Sequence, residues 1–269
     1  MKRLLIMAVF LLVLGATMGM VPVEAKDQAY HWGFKKAKDG KLPSIDEEGY
    51  GHLVRTYDAL FYDGRGKKVL YLTFDNGYEN GYTPAILDVL KEKKVPATFF
   101  VTGHYVEDQP ELLKRMVREG HIIGNHSWSH PDMSTLSAER IREEIEKVSA
   151  AVSRITGQKE TVYFRPPRGI FDEQLLKIVR DMGMETIFWS IAYKDWERDV
   201  NRGKDYAFRQ VVGQFHPGAV ILLHSVSKDN ALALGMIIDE ARRQGYTFES
   251  LDAWRLHRQF SDPLDERSH

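Results

Sequence analysis

The sequence predicts an α/β fold, a single closed or nearly closed barrel of parallel strands and helices. Three observations predict it. From residue 69 onward, short apolar runs alternate with amphipathic helical segments. Those runs are nearly continuous in apolar residues, as strands buried on both faces are. No Gly-rich phosphate loop follows any run, which weakens the alternative of a doubly wound, nucleotide-binding open sheet.

Seven runs rich in β-branched and aromatic residues are expected as strands: Val69–Phe74, Ala97–Val101, His121–Asn125, Val162–Arg165, Glu185–Ser190, Ala219–His224 and Tyr246–Ser250. Helices are expected between most of them. Thr83 and Pro84 supply an N-cap and a first-turn proline for a helix that shares Ile86, Leu87 and Leu90 on one face. Asp108 opens the next, with Leu112, Leu113, Met116 and Val117 inward and Gly120 as its stop. Ser137 opens the most regular one, where Ile141, Ile145, Val148, Val152 and Ile155 step by four and three until Gly157. Asp172–Met182 and Asp229–Arg243 follow the same pattern and close on Gly183 and Gly245. A long connection, residues 195–216, precedes the sixth strand.

The N-terminal residues 1–25 carry Lys2 and Arg3, an apolar run from Leu4 to Met20, and small residues at Val23 and Ala25. This is the pattern of a secretory signal peptide with cleavage expected after Ala25. Residues 26–66 are polar, with His31-Trp32-Gly33 and several turn signals, and are expected as an extension packed on the barrel. Residues 67–250 are expected to form the barrel domain, and 251–269 a C-terminal helix and tail.

Composition narrows the chemistry. The chain of 269 residues has 37 Lys+Arg, 38 Asp+Glu and a formal net charge of −1, so it lacks the basic footprint of a nucleic-acid binder. It has no cysteine, which excludes disulfides, a thiolate nucleophile and Cys-ligated zinc. A metal site would have to use His, Asp, Glu or Asn.

Parallel α/β folds place their sites at the C-terminal ends of the strands. Here Asp75 and Asn76 follow the first strand, His126 and His130 the third, Arg165 and Arg168 the fourth, Asp195 and Trp196 the fifth, and His224 ends the sixth. Five strands delivering such residues to one rim is hard to explain by core packing. His126 and His130 are spaced to share a divalent metal, and Pro131 favours a compact loop over a helix for them. Asp75 and Asn76 would bring a carboxylate and a neutral carbonyl oxygen alongside.

Thr73-Phe74-Asp75-Asn76-Gly77, His126-Ser127-Trp128-Ser129-His130, Arg165-Pro166-Pro167-Arg168-Gly169, Asp195-Trp196 and Leu222-Leu223-His224 stand in the order of the five motifs of polysaccharide deacetylases. Over residues 67–250 the chain resembles that family, carbohydrate esterase family 4 with its NodB-homology domain. The stretch from Tyr71 to Thr83, and His31-Trp32-Gly33, are most similar to the subgroup of delta-lactam-biosynthetic de-N-acetylases of spore cortex peptidoglycan.

The resemblance implies a distorted (β/α)7-type barrel and hydrolysis of N-acetyl groups on muramic acid. It implies a divalent metal cation, zinc or similar, held by His126 and His130 with Asn76 as a further ligand. Asp75 would be the general base, oriented by Arg165, and His224 the general acid, held by Asp195. Leu222, Leu223 and Trp196 would shape the acetyl slot, with Asn76 also beside the substrate. Arg168, where many members carry an aromatic residue, would read the lactyl carboxylate of muramic acid.

Peptidoglycan glycan strands would be the partner, with no nucleic acid and no stable membrane anchor after signal cleavage. A monomer, secreted to the cell wall or spore cortex, is expected. Two departures stand out. Most members have Asp where this chain has Asn76, and many have an acid at Ala192. A deacetylase of N-acetylglucosamine polymers, chitin-like or in peptidoglycan, is the alternative within the reaction. A hydrolase of another amide or ester is a further one. A non-catalytic glycan-binding protein would be expected to have lost the base, the acid and their partners, all of which are present.

Overall fold

In a computed structural model of the chain, the structure describes residues 28–33, 36–37, 42 and 45–260. Residues 1–25, expected as a signal peptide, and the tail from 261 onward lie outside them.

The central sheet is parallel. Its strands are β2 (Val69–Asn76), β3 (Ala97–Val101), β4 (Ile122–Asn125), β5 (Tyr163–Phe164), β7 (Glu185–Thr186), β8 (Ala219–His224) and β9 (Thr247–Phe248). Their order is β7-β5-β4-β3-β2-β8, with β9 also on β2. The two ends meet where Ile191 bridges Ile221, with Ile191 N–H donating to Val220 O and Leu222 N–H to Ile191 O. The sheet therefore curls into an incomplete barrel.

Around it lie α1 (Gly51–Thr56), α2 (Thr83–Lys93), α3 (Gly103–Asp108), α4 (Pro110–Arg118), α5 (Ala138–Thr156), α6 (Glu173–Asp181), α7 (Lys204–Val212), α8 (Lys228–Arg243) and α9 (Leu251–Phe260). Among the described residues, no helix is long and apolar enough to cross a membrane.

The period of two along the strands separates two cores. Leu70, Leu72 and Phe74 of β2 and Ala219, Ile221 and Leu223 of β8 join one, with the buried faces of α2 and α8. Val69 and Tyr71 of β2 and Val220 and Leu222 of β8 join the other, with Phe100, Phe164 and Trp189. The alternation decides which polar residue at a strand end faces the barrel interior. Asp75 follows Tyr71 and Thr73, and His224 follows Leu222.

Some expected elements are shorter. The fifth run, read as Glu185–Ser190, keeps strand pairing only over Glu185–Thr186, because Ile187 and Ile191 pair singly with Leu60 and Ile221. The last strand covers Thr247–Phe248 rather than Tyr246–Ser250, and the fourth Tyr163–Phe164 rather than Val162–Arg165. Asp108 ends α3 instead of opening a helix, since Pro110 starts α4 afresh. Thr83 lies inside α2, with its hydroxyl and N–H on Glu79, and Tyr82 precedes it as the cap. The long connection holds a helix of its own, α7.

Ser137 and Asp172 cap α5 and α6 as their positions imply, accepting from Arg140 N–H and Leu175 N–H. Gly157 ends α5 at φ 78°, the left-handed geometry that favours glycine. The lead-in contacts the barrel directly. Strand β1 (Tyr30–His31) pairs antiparallel with β6 (Ile170–Phe171). Trp32 stacks on Phe188 at 4.3 Å and donates its indole N–H to Trp189 O at 2.9 Å.

Candidate active site

Register brings the two central groups together. Asp75 on β2 is the direct parallel partner of His224 on β8, and both stand at the C-terminal ends of their strands. With Gly77, Tyr78, Thr102, His104, His126, Trp128, Ser129, His130 and Val226 they line a cavity of about 320 Å³.

Asp75 is held from below. Arg165, wholly buried, donates one guanidinium N–H to Asp75 Oδ1 at 2.8 Å. Its other two bonds run to the carbonyls of Ile187 at 3.0 Å and Phe188 at 3.2 Å. The guanidinium lies over the Phe100 ring at 4.1 Å. That ring in turn packs where a Cβ on Gly124 would stand, 2.6 Å from it, so only glycine fits at this register position. Burial alone would raise the pKa of Asp75. The charges of Arg165 and His224 overcome it and hold the carboxyl below the usual carboxylate range. It is therefore ionised and able to accept a proton.

His126 donates Nδ1–H to the carbonyl of Arg165 at 2.8 Å. A carbonyl only accepts, so the neutral ring carries its lone pair on Nε2, which lies 3.5 Å from Asp75 Oδ2. Burial pushes the His126 pKa down. His130, at φ 56° in a compact loop, has its ring 4.9 Å from that of His126. Burial and the neighbouring His126 pull its pKa down to about 3. Two neutral imidazoles facing one cavity are donors that fit a divalent cation. Among the described residues, no group of three or more His, Asp or Glu is gathered as a complete metal site.

His224 is the opposite case. Its Nδ1–H bonds Asp195 Oδ1 at 2.7 Å, which turns Nε2 toward the cavity. Burial by itself would lower its pKa, but the charge of Asp195 and this hydrogen bond raise it above the ordinary imidazole value. Trp196 is 38% exposed, and its ring lies 5.7 Å from that of His224.

The structure parts some of the residues expected together. Leu222 lies in the interior core and Leu223 in the helix-side core, so adjacent strand positions do not both face the cavity. Asn76 likewise points away from Asp75. It is wholly buried, and its Oδ1 accepts from Ser225 Oγ at 3.0 Å, outside the cavity lining. Arg168 stands at the rim, its backbone at φ 57°, with one guanidinium N–H reaching the carbonyl of His130 at 3.4 Å.

Several contributors were not anticipated. Tyr78, Thr102 and His104 line the cavity. Glu144 of α5 accepts from Ser129 N–H at 2.7 Å and Ser129 Oγ at 2.9 Å, which ties the histidine loop to the helix. A signal for it was present, since a carboxylate three residues after Ile141 falls on the apolar stripe of α5.

Comparison with known proteins agrees with this geometry. A polysaccharide deacetylase family model matches residues 63–187. The peptidoglycan-N-acetylmuramic acid deacetylase PdaA of Bacillus subtilis is 49% identical over 226 residues, covering 84% of this chain and 86% of that protein. An uncharacterized 30.6 kDa protein from Geobacillus stearothermophilus, encoded in the fumA 3' region, is 53% identical over 234 residues, 87% of this chain and 88% of that one. The structure of Bacillus subtilis PdaA, described as a family 4 carbohydrate esterase, superposes with a TM-score of 0.83 at 48% identity, covering 86% of this chain and 98% of that chain. These likenesses, which extend over most of the sequence and of the fold, show that the chain belongs to the polysaccharide deacetylase family, carbohydrate esterase family 4.

Proposed function

We propose that this protein removes the acetyl group from N-acetylmuramic acid residues of peptidoglycan, a step towards muramic delta-lactam in spore cortex. The observation that carries the reaction is the pairing of Asp75 and His224 in one register, with pKa values pushed in opposite directions. A carboxylate kept ionised and an imidazolium kept protonated at the same pH are what amide hydrolysis needs.

In this reading Asp75 accepts a proton from the attacking water. The acetyl carbon becomes tetrahedral, and His224 Nε2–H gives its proton to the sugar nitrogen as the C–N bond breaks. Acetate and the amine leave. A divalent cation held by His126 and His130 would supply, when bound, polarisation of the acetyl oxygen and a more acidic water. Arg165 keeps Asp75 charged and aimed, Asp195 does the same for His224, and Trp196 packs beside the His224 ring. Asn76, spent on Ser225, supports the strand end in this scheme.

Arg168 supports the choice of muramic acid. Among the described residues no carboxylate pairs with it, and it stands at the cavity rim beside His130. Its guanidinium suits a free lactyl carboxylate, which N-acetylglucosamine lacks. Action on wall glycan requires export, in keeping with the N-terminal signal pattern. The test is acetate release from peptidoglycan whose muramic acids lack stem peptides, with N-acetylglucosamine oligomers in parallel and with and without chelator. Chelator-sensitive release from the muramic substrate is expected. Release only from N-acetylglucosamine oligomers would move the activity to the alternative substrate, and no release from either would remove the reaction.

A further inference from the structure

The network behind His224 reaches beyond Asp195. Asp195 stands on the connection after β7, where no strand pairing fixes its side chain. Its Oδ2 accepts from His224 N–H at 2.8 Å and from the amide of Asn230, leaving Oδ1 for His224 Nδ1–H. Asn230 belongs to the first turn of α8, is wholly buried, and donates a second time to His224 O at 3.2 Å.

An ionised carboxylate only accepts, so the amide nitrogen must face Asp195 and the amide oxygen must face away. That oxygen takes the hydroxyl hydrogen of Tyr193. Burial raises the pKa of Tyr193, which keeps it a neutral donor. The neighbouring Asp229 accepts from the N–H groups of Arg202 at 2.6 Å and Gly203 at 3.0 Å, farther along the same connection. One turn of α8 thus grips the segment that carries Asp195 and Trp196 at both ends.

We propose that Asn230 is a positioning residue for the general acid, acting on His224 through Asp195, with Tyr193 setting the direction of its amide. This rests on the reading of His224 as the acid. Asp195 sits on a connection and owes its orientation to the donors around it. Without the Asn230 amide its carboxylate can rotate, and His224 Nε2 loses its aim at the sugar nitrogen. The loss belongs to one step, delivery of the proton to the leaving amine as the C–N bond breaks. An ester whose leaving group is already a stable anion does not need that proton. A defect in the acid arm should therefore separate amide from activated ester, whereas general damage to the fold should lower both.

The experiment compares wild type, Asn230→Ala, Tyr193→Phe and His224→Ala, equally loaded with metal. The substrates are p-nitrophenyl acetate and whichever N-acetylated glycan the wild type cleaves, muramic or glucosamine. Thermal melts accompany the kinetics. Asn230→Ala is expected to lose about 10-fold or more in kcat on the amide, the low end for general acid–base groups, with KM and ester turnover little changed. Tyr193→Phe should lose about threefold on the amide alone, as a single neutral hydrogen bond implies. Equal losses on both substrates, or none on either, would overturn the proposal. If Asn230→Ala does not fold, Tyr193→Phe decides by the same criterion. If His224→Ala itself loses both activities equally, the acid assignment falls and this inference with it. A selective His224→Ala beside an unselective Asn230→Ala overturns the positioning role alone.

Discussion

Asp75 and His224 are register partners on adjacent strands, yet the groups that hold them come from different kinds of structure. The arm that holds Asp75, the proposed base, is built into the sheet. Arg165 follows β5, its guanidinium spans two backbone carbonyls and Asp75, and Phe100 and Gly124 of β3 and β4 form its floor. The acid arm hangs on a long connection and is fixed by the side chains of Asp195, Asn230 and Tyr193. The base arm should therefore fail by unfolding, and the acid arm by loss of one catalytic step.

Replacing Arg165 is the most direct way to break that contrast. Arg165→Met leaves Asp75 buried without its main counter-charge. Removing one member of a buried pair typically costs about 3–5 kcal/mol. The expected result in urea unfolding is a loss in that range, with a clearly smaller one for His224→Ala, whose side chain is 21% exposed. Similar losses for both would mean that the two arms are equally structural.

Within the fold, chemistry is the next test. Asp75→Asn keeps the shape and removes the base, so kcat should fall about 10²–10⁴-fold with little change in KM. His126→Ala and His130→Ala should abolish chelator-sensitive turnover and bound metal while the circular dichroism spectrum stays native. Either variant with wild-type turnover would remove the imidazole pair from the reaction.

The contrast between the arms also explains what the sequence made legible. Asp75, His126, Arg165 and His224 sit at strand ends, and strand periodicity with the parallel-sheet rule is enough to gather them. The same periodicity read one step further separates Leu222 from Leu223 and turns Asn76 away from Asp75. Motif resemblance treats neighbouring letters as one group and passes over that alternation. Asn230 carries no local signal, because its role depends on α8 starting where it meets the connection. Helix α7 leaves little mark in the sequence because Lys204–Val212 lies within the long connection 195–216 and has no side-chain cap at Gly203. Strand β7 was overestimated because apolar character continues to Ile191 after regular pairing has ended.

A pH profile sharpens the difference between the arms. The acid must be protonated, so kcat/KM should fall as pH rises through the His224 pKa. Asp195 raises that pKa, which places the alkaline limb above the ordinary histidine value near 6.5. In Asp195→Asn the raising charge is gone and burial, which lowers the pKa, prevails. The alkaline limb should then move to lower pH, and kcat at neutral pH should fall more than kcat at acidic pH. An unmoved limb would assign it to another group.

The smallest expected effect falls outside both arms. Arg168 holds a left-handed backbone at the tip of the Arg165–Gly169 segment and donates to the carbonyl of His130. Its removal should leave the Asp75 and His224 networks intact, so that binding rather than catalysis changes. Arg168→Ala is expected to lower kcat/KM on peptide-free muramic glycan by about 1.5–3 kcal/mol, the usual value of a hydrogen bond to a charged group. Arg168→Lys should restore part of it, because an ammonium keeps the charge but not the planar, bidentate fork. Turnover of N-acetylglucosamine oligomers should hardly change, since those sugars bring no carboxylate. Raising salt should weaken the muramic preference of the wild type more than that of Arg168→Ala, as the exposed guanidinium is open to screening. An equal loss on both glycans would instead make Arg168 a brace for the His130 carbonyl and so for the histidine loop. Muramic specificity would then have to come from residues that line the cavity itself, such as Tyr78 and His104.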